Sequence, residues 1–259
     1  MAVTFVAAGT AAAGLGAVTP GMPTGATTDD LLICHIEGEG EDTANDNMTD
    51  TVAWTLIGSV ASATDGAIDR TRHSLWWAPY SAGINREVAD AGDHTLAVIT
   101  AWRGVNLAAP IHQQQSTIDN TNDTAGTATG VTTTLADCLI VISNTAGDDN
   151  GAGASVGFSA WTNASLANPS IAEAAGGDVG TSQGSDASIG IAYGGLAAAG
   201  ASGTTTWTIG ASEETAAWVI ALPPALPAVI GYKRSAWSSD VGILNPNLDA
   251  TGDYRSRNK

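Results

Sequence analysis

Lysine is almost missing from this chain. Only Lys233 and Lys259 occur in 259 residues, and nine basic side chains in all face 26 acidic ones, for a net charge of −17. Neutralising phosphates or docking on anionic lipid needs Lys and Arg, so the shortage argues against a nucleic-acid binder and against an anionic membrane surface. Cysteine is equally scarce. Cys34 and Cys138 are the only two, which excludes a disulfide framework. Both sit in apolar runs and read as buried thiols. No apolar run approaches the ~20 residues of a membrane-spanning helix. Long charged side chains are few, and no stretch keeps a capped helical period, which disfavours surface helices. The N-terminal MAVTFVAAGTAAAGLGAV lacks a basic flank and reads as a first strand and a Gly/Ala loop, not a signal peptide.

Several chemical signatures are missing as well. There is no P-loop and no G-x-G-x-x-G after a strand. His35, His73, His94 and His112 form neither H-x-x-x-H nor H-x-H, so zinc has no local scaffold. Gly180-Thr-Ser182-Gln-Gly184 matches G-x-S-x-G, but no helix follows to build a nucleophile elbow, and it reads as a loop. No close pair of carboxylates lies in an apolar setting. The expectation is a protein that is not an enzyme and needs no cofactor.

What is present is a series of short β-type runs between Gly/Asp/Asn/Thr-rich loops. They are VTFVAA (3–8), LLICHIE (31–37), VAWTLIGSV (52–60), RHSLWWAPY (72–80), HTLAVITAW (94–102), DCLIVIS (137–143), SVGFSAW (155–161), ASIGIAY (187–193), TTTWTIG (204–210) and AAWVIAL (216–222). Their length and punctuation predict strands. Their order contains a repeat. Asp30-Leu-Leu-Ile-Cys-His-Ile resembles Asp137-Cys-Leu-Ile-Val-Ile-Ser, and Ala53-Trp54-Thr55 resembles Ala160-Trp161-Thr162, both 107 residues on. Leu75-Trp-Trp-Ala then matches Ile189-Gly-Ile-Ala, and Ala97-Val-Ile matches Trp218-Val-Ile. A half of about four strands cannot close a core alone. The predicted fold is therefore all-β: a two-sheet, jelly-roll-like sandwich of two interlocked pseudo-repeated halves, about 1–115 and 116–222.

Pro223 and Pro224 stop the last strand. Residues 223–259 show no alternation and read as an extended C-terminal arm. Charge divides at the same place. Residues 1–222 hold four basic and 23 acidic side chains, a net of −19; residues 223–259 hold five and three, a net of +2. The arm's Tyr232, Trp237 and Tyr254 can supply buried area to a partner, and Lys233, Arg234, Arg255 and Arg257 can meet carboxylates. Aromatics and Arg dominate interface energetics.

Two further groups are candidate sites. Glu37, Glu39, Glu41 and Asp42 form an oxygen-rich cluster with weak calcium character; solvated loop charge is the plainer reading, as it is for Asp119–Asp123 and Asp148-Asp149-Asn150. Trp76 and Trp77 are adjacent, so on a strand they point to opposite faces. One can be core; the other would be a subunit contact, a covered ring or a platform for a sugar.

The segments GAVTPGMPTGATTDDLLICHIE, AWTLIGS, LWWAPY, GDHTLAVITAWRGVNLAAPI and TTTWTIGASEETAAWVIAL together resemble a recurrent β-sandwich protein of tailed bacteriophages. The likeness covers roughly residues 3–222 and lies in the order of the motifs. It implies a virion structural protein with no catalytic residues, on the outer surface of the particle and made in the bacterial host cytoplasm. A capsid decoration (cement) protein is the leading expectation, with major capsid protein or other virion subunits as partners and a homotrimer by resemblance. A tail-fibre, receptor-binding or carbohydrate-binding module is the alternative, and a secreted polysaccharide-active enzyme a third, weaker one.

Overall fold

The structure is a computed structural model and describes residues 2–39, 47–62, 71–89, 94–148, 157–179 and 186–226. Two compact units are distinguished, Met1–Ala225 and Leu226–Lys259. Of the second, only Leu226 is among the described residues.

The first unit is an all-β sandwich. Its N-terminal half supplies β1 (Thr4–Ala8), β2 (Ala12–Gly14), β3 (Asp30–Glu39), β4 (Thr55–Ala61), β5 (Thr71–Pro79) and β6 (His94–Arg103). These form one antiparallel sheet in the order β1-β6-β3-β5-β4, with β2 also on β6. The C-terminal half supplies β7 (Gln113–Ala128), β8 (Thr132–Thr133), β9 (Cys138–Asp148), β10 (Phe158–Thr162), β11 (Ala167–Val179), β12 (Asp186–Leu196), β13 (Gly200–Ala201) and β14 (Thr205–Leu222). The second sheet runs β7-β14-β9-β12-β11, with β10 also on β14, while β8 and β13 pair with each other.

Taken in chain order, β1, β3, β4, β5 and β6 occupy the same positions in their sheet as β7, β9, β11, β12 and β14 in theirs. The predicted repeat is thus visible in topology. Two details differ from the sequence reading. The halves do not interlock; each builds a complete sheet. The alignment also slips. Leu31 pairs with Trp102 in the first sheet, and the equivalent inward-facing pair in the second is Leu139 and Leu222. That sets β9 108 residues after β3, not 107. A one-residue slip in a strand exchanges its faces, so the sequence match had laid inward residues on outward ones.

Alternation produces three cores. Leu31, Ile33, Leu75, Leu96 and Trp102 point inward and meet Leu139, Val141, Ile191, Trp218 and Leu222 from the other sheet. On the first sheet's outer face, Leu32, Cys34, Ile36, Trp76 and Ile99 are covered by the loop residues Val18, Met48, Trp54 and Val88. On the second sheet's outer face, Cys138, Ile140, Ile142, Val219 and Ala221 are covered by Phe158, Leu166, Trp207 and Ile209. Trp207 and Ile209 belong to β14 itself. The β7–β14 ribbon loses register between Thr208 and Glu213 and folds back over its own sheet. The Thr129 N–H reaches the Thr117 hydroxyl across that fold at 2.9 Å. Gly58 marks the bulge in β4, where the Trp218 ring lies against the position a Cβ would take.

Several strand assignments change. Residues 204–210 and 216–222 form one bent strand, β14. β7 and β11 were not predicted. The Asp119–Asp123 segment, read from sequence as an acidic loop, lies inside β7, and the second half begins with this strand at Gln113. β7 is polar and largely exposed. It is held by its main-chain ladder to β14, which gives no apolar alternation to read.

Candidate functional site

The concentration of chemically capable side chains lies between the two sheets. Inward positions of β3 run Leu31, Ile33, His35, Glu37, and those of β5 run Thr71, His73, Leu75, Trp77. Ser143 and Thr145 of β9 face them. One end of the inter-sheet space is therefore apolar and the other polar. His35, Glu37, Thr71, His73, Thr100, Ser143 and Thr145 are all fully buried.

Their hydrogen bonds form a chain with fixed ends. Trp102 Nε1 can only donate, and it donates to Thr100 Oγ1 at 2.9 Å. The Ala216 carbonyl can only accept, and His73 Nδ1 donates to it at 3.2 Å. His73 Nε2 is then an acceptor for the Ser143 hydroxyl at 2.9 Å. Ser143 Oγ in turn accepts from His35 Nδ1 at 2.8 Å, and His35 Nε2 accepts from Thr100 Oγ1 at 2.9 Å. Reversing the middle of the chain would set lone pairs of Ser143 and His73 against each other. Both imidazoles are thus neutral Nδ1–H tautomers. Burial drives the His73 pKa down to about 3, against a small opposing effect of the Ala216 carbonyl. Burial, and then the neighbouring His73, hold His35 well below the usual histidine range. Ser143 lies between the two imidazoles, and every group of this hydrogen-bonded chain is buried. The arrangement joins β3, β5 and β6 to β9 and β14.

Glu37 belongs to the same network: Thr71 Oγ1 donates to Glu37 Oε1 at 3.0 Å, and the same hydroxyl lies 2.8 Å from that of Thr145. Glu37 therefore faces the sandwich interior and not a loop. Glu39 continues β3, while Glu41 and Asp42 lie outside the described residues. Among the described residues no three His, Cys, Asp or Glu are grouped to hold a metal.

Trp76 and Trp77 do point to opposite faces. Trp76 is 5% exposed in the outer core of the first sheet, and Trp77 is half-buried against the inner core. Trp76 offers no free ring face as a platform. A second aromatic group stacks on the other outer face: Phe158, Trp161 and Trp207, with Trp161 and Trp207 centroids 5.1 Å apart. The buried Nε1 atoms of Trp161 and Trp207 and both amide atoms of Asn144 find no hydrogen-bond partner there. The thiols of Cys34 and Cys138 are free and buried as expected, and burial raises the pKa of both.

The root of the C-terminal segment is well defined. Pro224 bridges Val105, Asn106 N–H donates to the Pro223 carbonyl at 3.0 Å, and Ala225 N–H to the Gly104 carbonyl at 2.7 Å. These contacts fasten the end of the second half to the connection that leaves the first. The compact unit ends at Ala225. Beside this root, Arg103 makes two 2.8 Å bonds to Asp30, whose carboxylate is fully buried. Burial raises the Asp30 pKa, but the Arg103 bonds and the Thr27 N–H outweigh it, and the net shift is downward. Tyr232, Lys233, Arg234, Trp237, Tyr254, Arg255 and Arg257 lie outside the described residues.

No protein-family model, no curated protein and no solved structure matches this chain.

Proposed function

We propose that the chain is a structural subunit of a bacteriophage particle, a capsid decoration protein that joins neighbouring subunits through its C-terminal arm. The observation that carries this reading is the division at Ala225. The compact, acidic sandwich ends there, clipped to residues 104–106. The chain then continues for 34 residues that hold five of its nine basic side chains. Such a segment suits a neighbouring acidic surface, and its tyrosines and tryptophan suit an apolar one. The body supports the reading in a second way. Among the described residues, the dense polar cluster between the sheets is buried, which suits a scaffold. Major capsid protein or another virion subunit is the proposed partner, and the proposed assembly is a trimer. Trp76 packs in the outer core of the first sheet and Trp77 is half-buried against the inner core, which favours the decoration reading over a tail-fibre sugar platform.

Deleting residues 226–259 tests the reading. This cut spares the Pro224–Val105 bridge. The truncated protein should melt as the full chain does and no longer attach to particles. Attachment at undiminished occupancy would overturn the proposal. If basic side chains dominate docking, attachment of the full chain should weaken with rising salt.

A further inference from the structure

We propose that a hollow at one end of the sandwich is the seat for the arm of a second copy of this chain, with Tyr232 inserted and Lys233 at its rim. This rests on the reading of residues 226–259 as a docking arm and names the surface that receives it. The hollow follows from a missing side chain. Ile189, Ile191 and Tyr193 of β12 point into the inner core, and alternation gives Gly195 the next inward place. Gly195 pairs with Leu139, itself an inner-core residue. A Cβ on Gly195 would meet nothing within 4 Å. The end of the inner core is left open there, as a space of about 180 Å³ walled by Ala2, Val3, Leu139 and Leu196.

The chemistry of the hollow selects its occupant. Its walls are apolar, and Asp137 is the charged residue that lines it. Asp137 is exposed, and its N–H donates to the Ala197 carbonyl at 3.3 Å, which fastens the rim. A cavity of about 150 Å³ takes up a benzene ring, so this space suits one aromatic side chain. The carboxylate favours a cation beside that ring. In residues 1–222 the one aromatic next to Lys or Arg is Trp102, beside Arg103. Trp102 is fully buried, and Arg103 is bonded to Asp30. The other such pairs are Tyr232-Lys233 and Tyr254-Arg255, both beyond Ala225. Tyr232-Lys233 stands nearer to Ala225, so fewer residues must be ordered to seat it.

Each copy then offers one seat and one arm. Such a contact is heterologous, and a three-fold arrangement closes it into a trimer with every seat filled.

The test uses the full chain. Sedimentation velocity should show a trimer, and Gly195→Phe, which fills the seat, should leave monomers that melt as the wild type does. Tyr232→Ala and Asp137→Lys should also lose the trimer, and Tyr254→Ala should keep it. Cysteine pairing gives a second measurement that does not depend on the folding of Gly195→Phe. Ala197 is exposed at the rim, and the native thiols are buried. Ala197→Cys copies mixed with Tyr232→Cys copies should form covalent heterodimers on mild oxidation. A monomeric wild type would overturn the proposal, and so would a Gly195→Phe trimer. A disulfide closed within one chain of Ala197→Cys/Tyr232→Cys would overturn it as well, because the arm would then seat on its own body. If residues 226–259 were still needed for attachment to particles while Gly195→Phe assembled normally, the arm reading would stand and this seat would fall.

Discussion

The two halves of the sandwich share one strand order and cover their outer faces in opposite ways. The first half uses loops, and those loops are well bonded. Trp54 Nε1 donates to the Asn85 carbonyl at 2.7 Å, Arg86 to the Pro20 carbonyl at 2.6 Å, and Val88 bridges both Val18 and Met48. The second half folds its own β7–β14 ribbon back and adds β10. That cover leaves the indole nitrogens of Trp161 and Trp207 and the Asn144 amide without partners. A buried polar group left unbonded costs about 1–3 kcal/mol. Burying tryptophan is thus no guarantee of a tight cover. The loop-covered half is expected to be the rigid one, and the ribbon cover the first part to open.

The comparison can be broken or sharpened by substitution. The largest effect is expected at Trp54→Ala, which empties a fully buried site under the loops and should cost about 3–5 kcal/mol by denaturant unfolding. Gly58→Ala comes next. Its methyl would strike the Trp218 ring in the shared inner core, for a loss of about 1–3 kcal/mol. The sharpest contrast is between two conservative changes. Trp54→Phe strands the Asn85 carbonyl and should destabilise by about 1–2 kcal/mol, whereas Trp207→Phe removes an unbonded nitrogen and should lose distinctly less. Equal losses would remove the distinction between the covers. Asp30→Asn should also cost little, about 1 kcal/mol or less, because Arg103 is 41% exposed and its pair is screened. The Asp30 pKa is lowered in the folded state, so this contribution is present above about pH 4 and is lost as pH falls further. Hydrogen exchange tests the order of opening. Amides of Phe158–Thr162 and Thr205–Ile209 should exchange before those of Leu31–Ile36.

The same contrast explains what the sequence made legible. β3, β5, β6, β9 and β12 are apolar runs bounded by turn residues, and their identity needed no partner. β7 and β11 could not be read because QQQSTIDNTNDTAGTA and ANPSIAEAAGGDV carry no alternating apolar face. They are strands because a neighbouring edge accepts them. The repeat was legible as an order of motifs, but its register was not. Ala53-Trp54-Thr55 leads into the sheet at β4, while Ala160-Trp161-Thr162 lies in β10 of the covering layer. Matching them fixed an offset one residue short for β3 and β9. The predicted strand LLICHIE places His35 inside the sheet. Its partner Ser143 stands 108 residues away and becomes apparent only when the sheets face each other.

The central functional claim is that an acidic body is seated on a particle by the segment after Ala225. Electron cryomicroscopy of intact particles tests it most directly. The account predicts density for the sandwich on the outer surface of the head, with residues 226–259 running over an adjoining subunit and Tyr232, Lys233, Arg234 and Trp237 in contact with it. Heads that lack the protein, or copies seated through the sandwich with that segment directed into solvent, would contradict it.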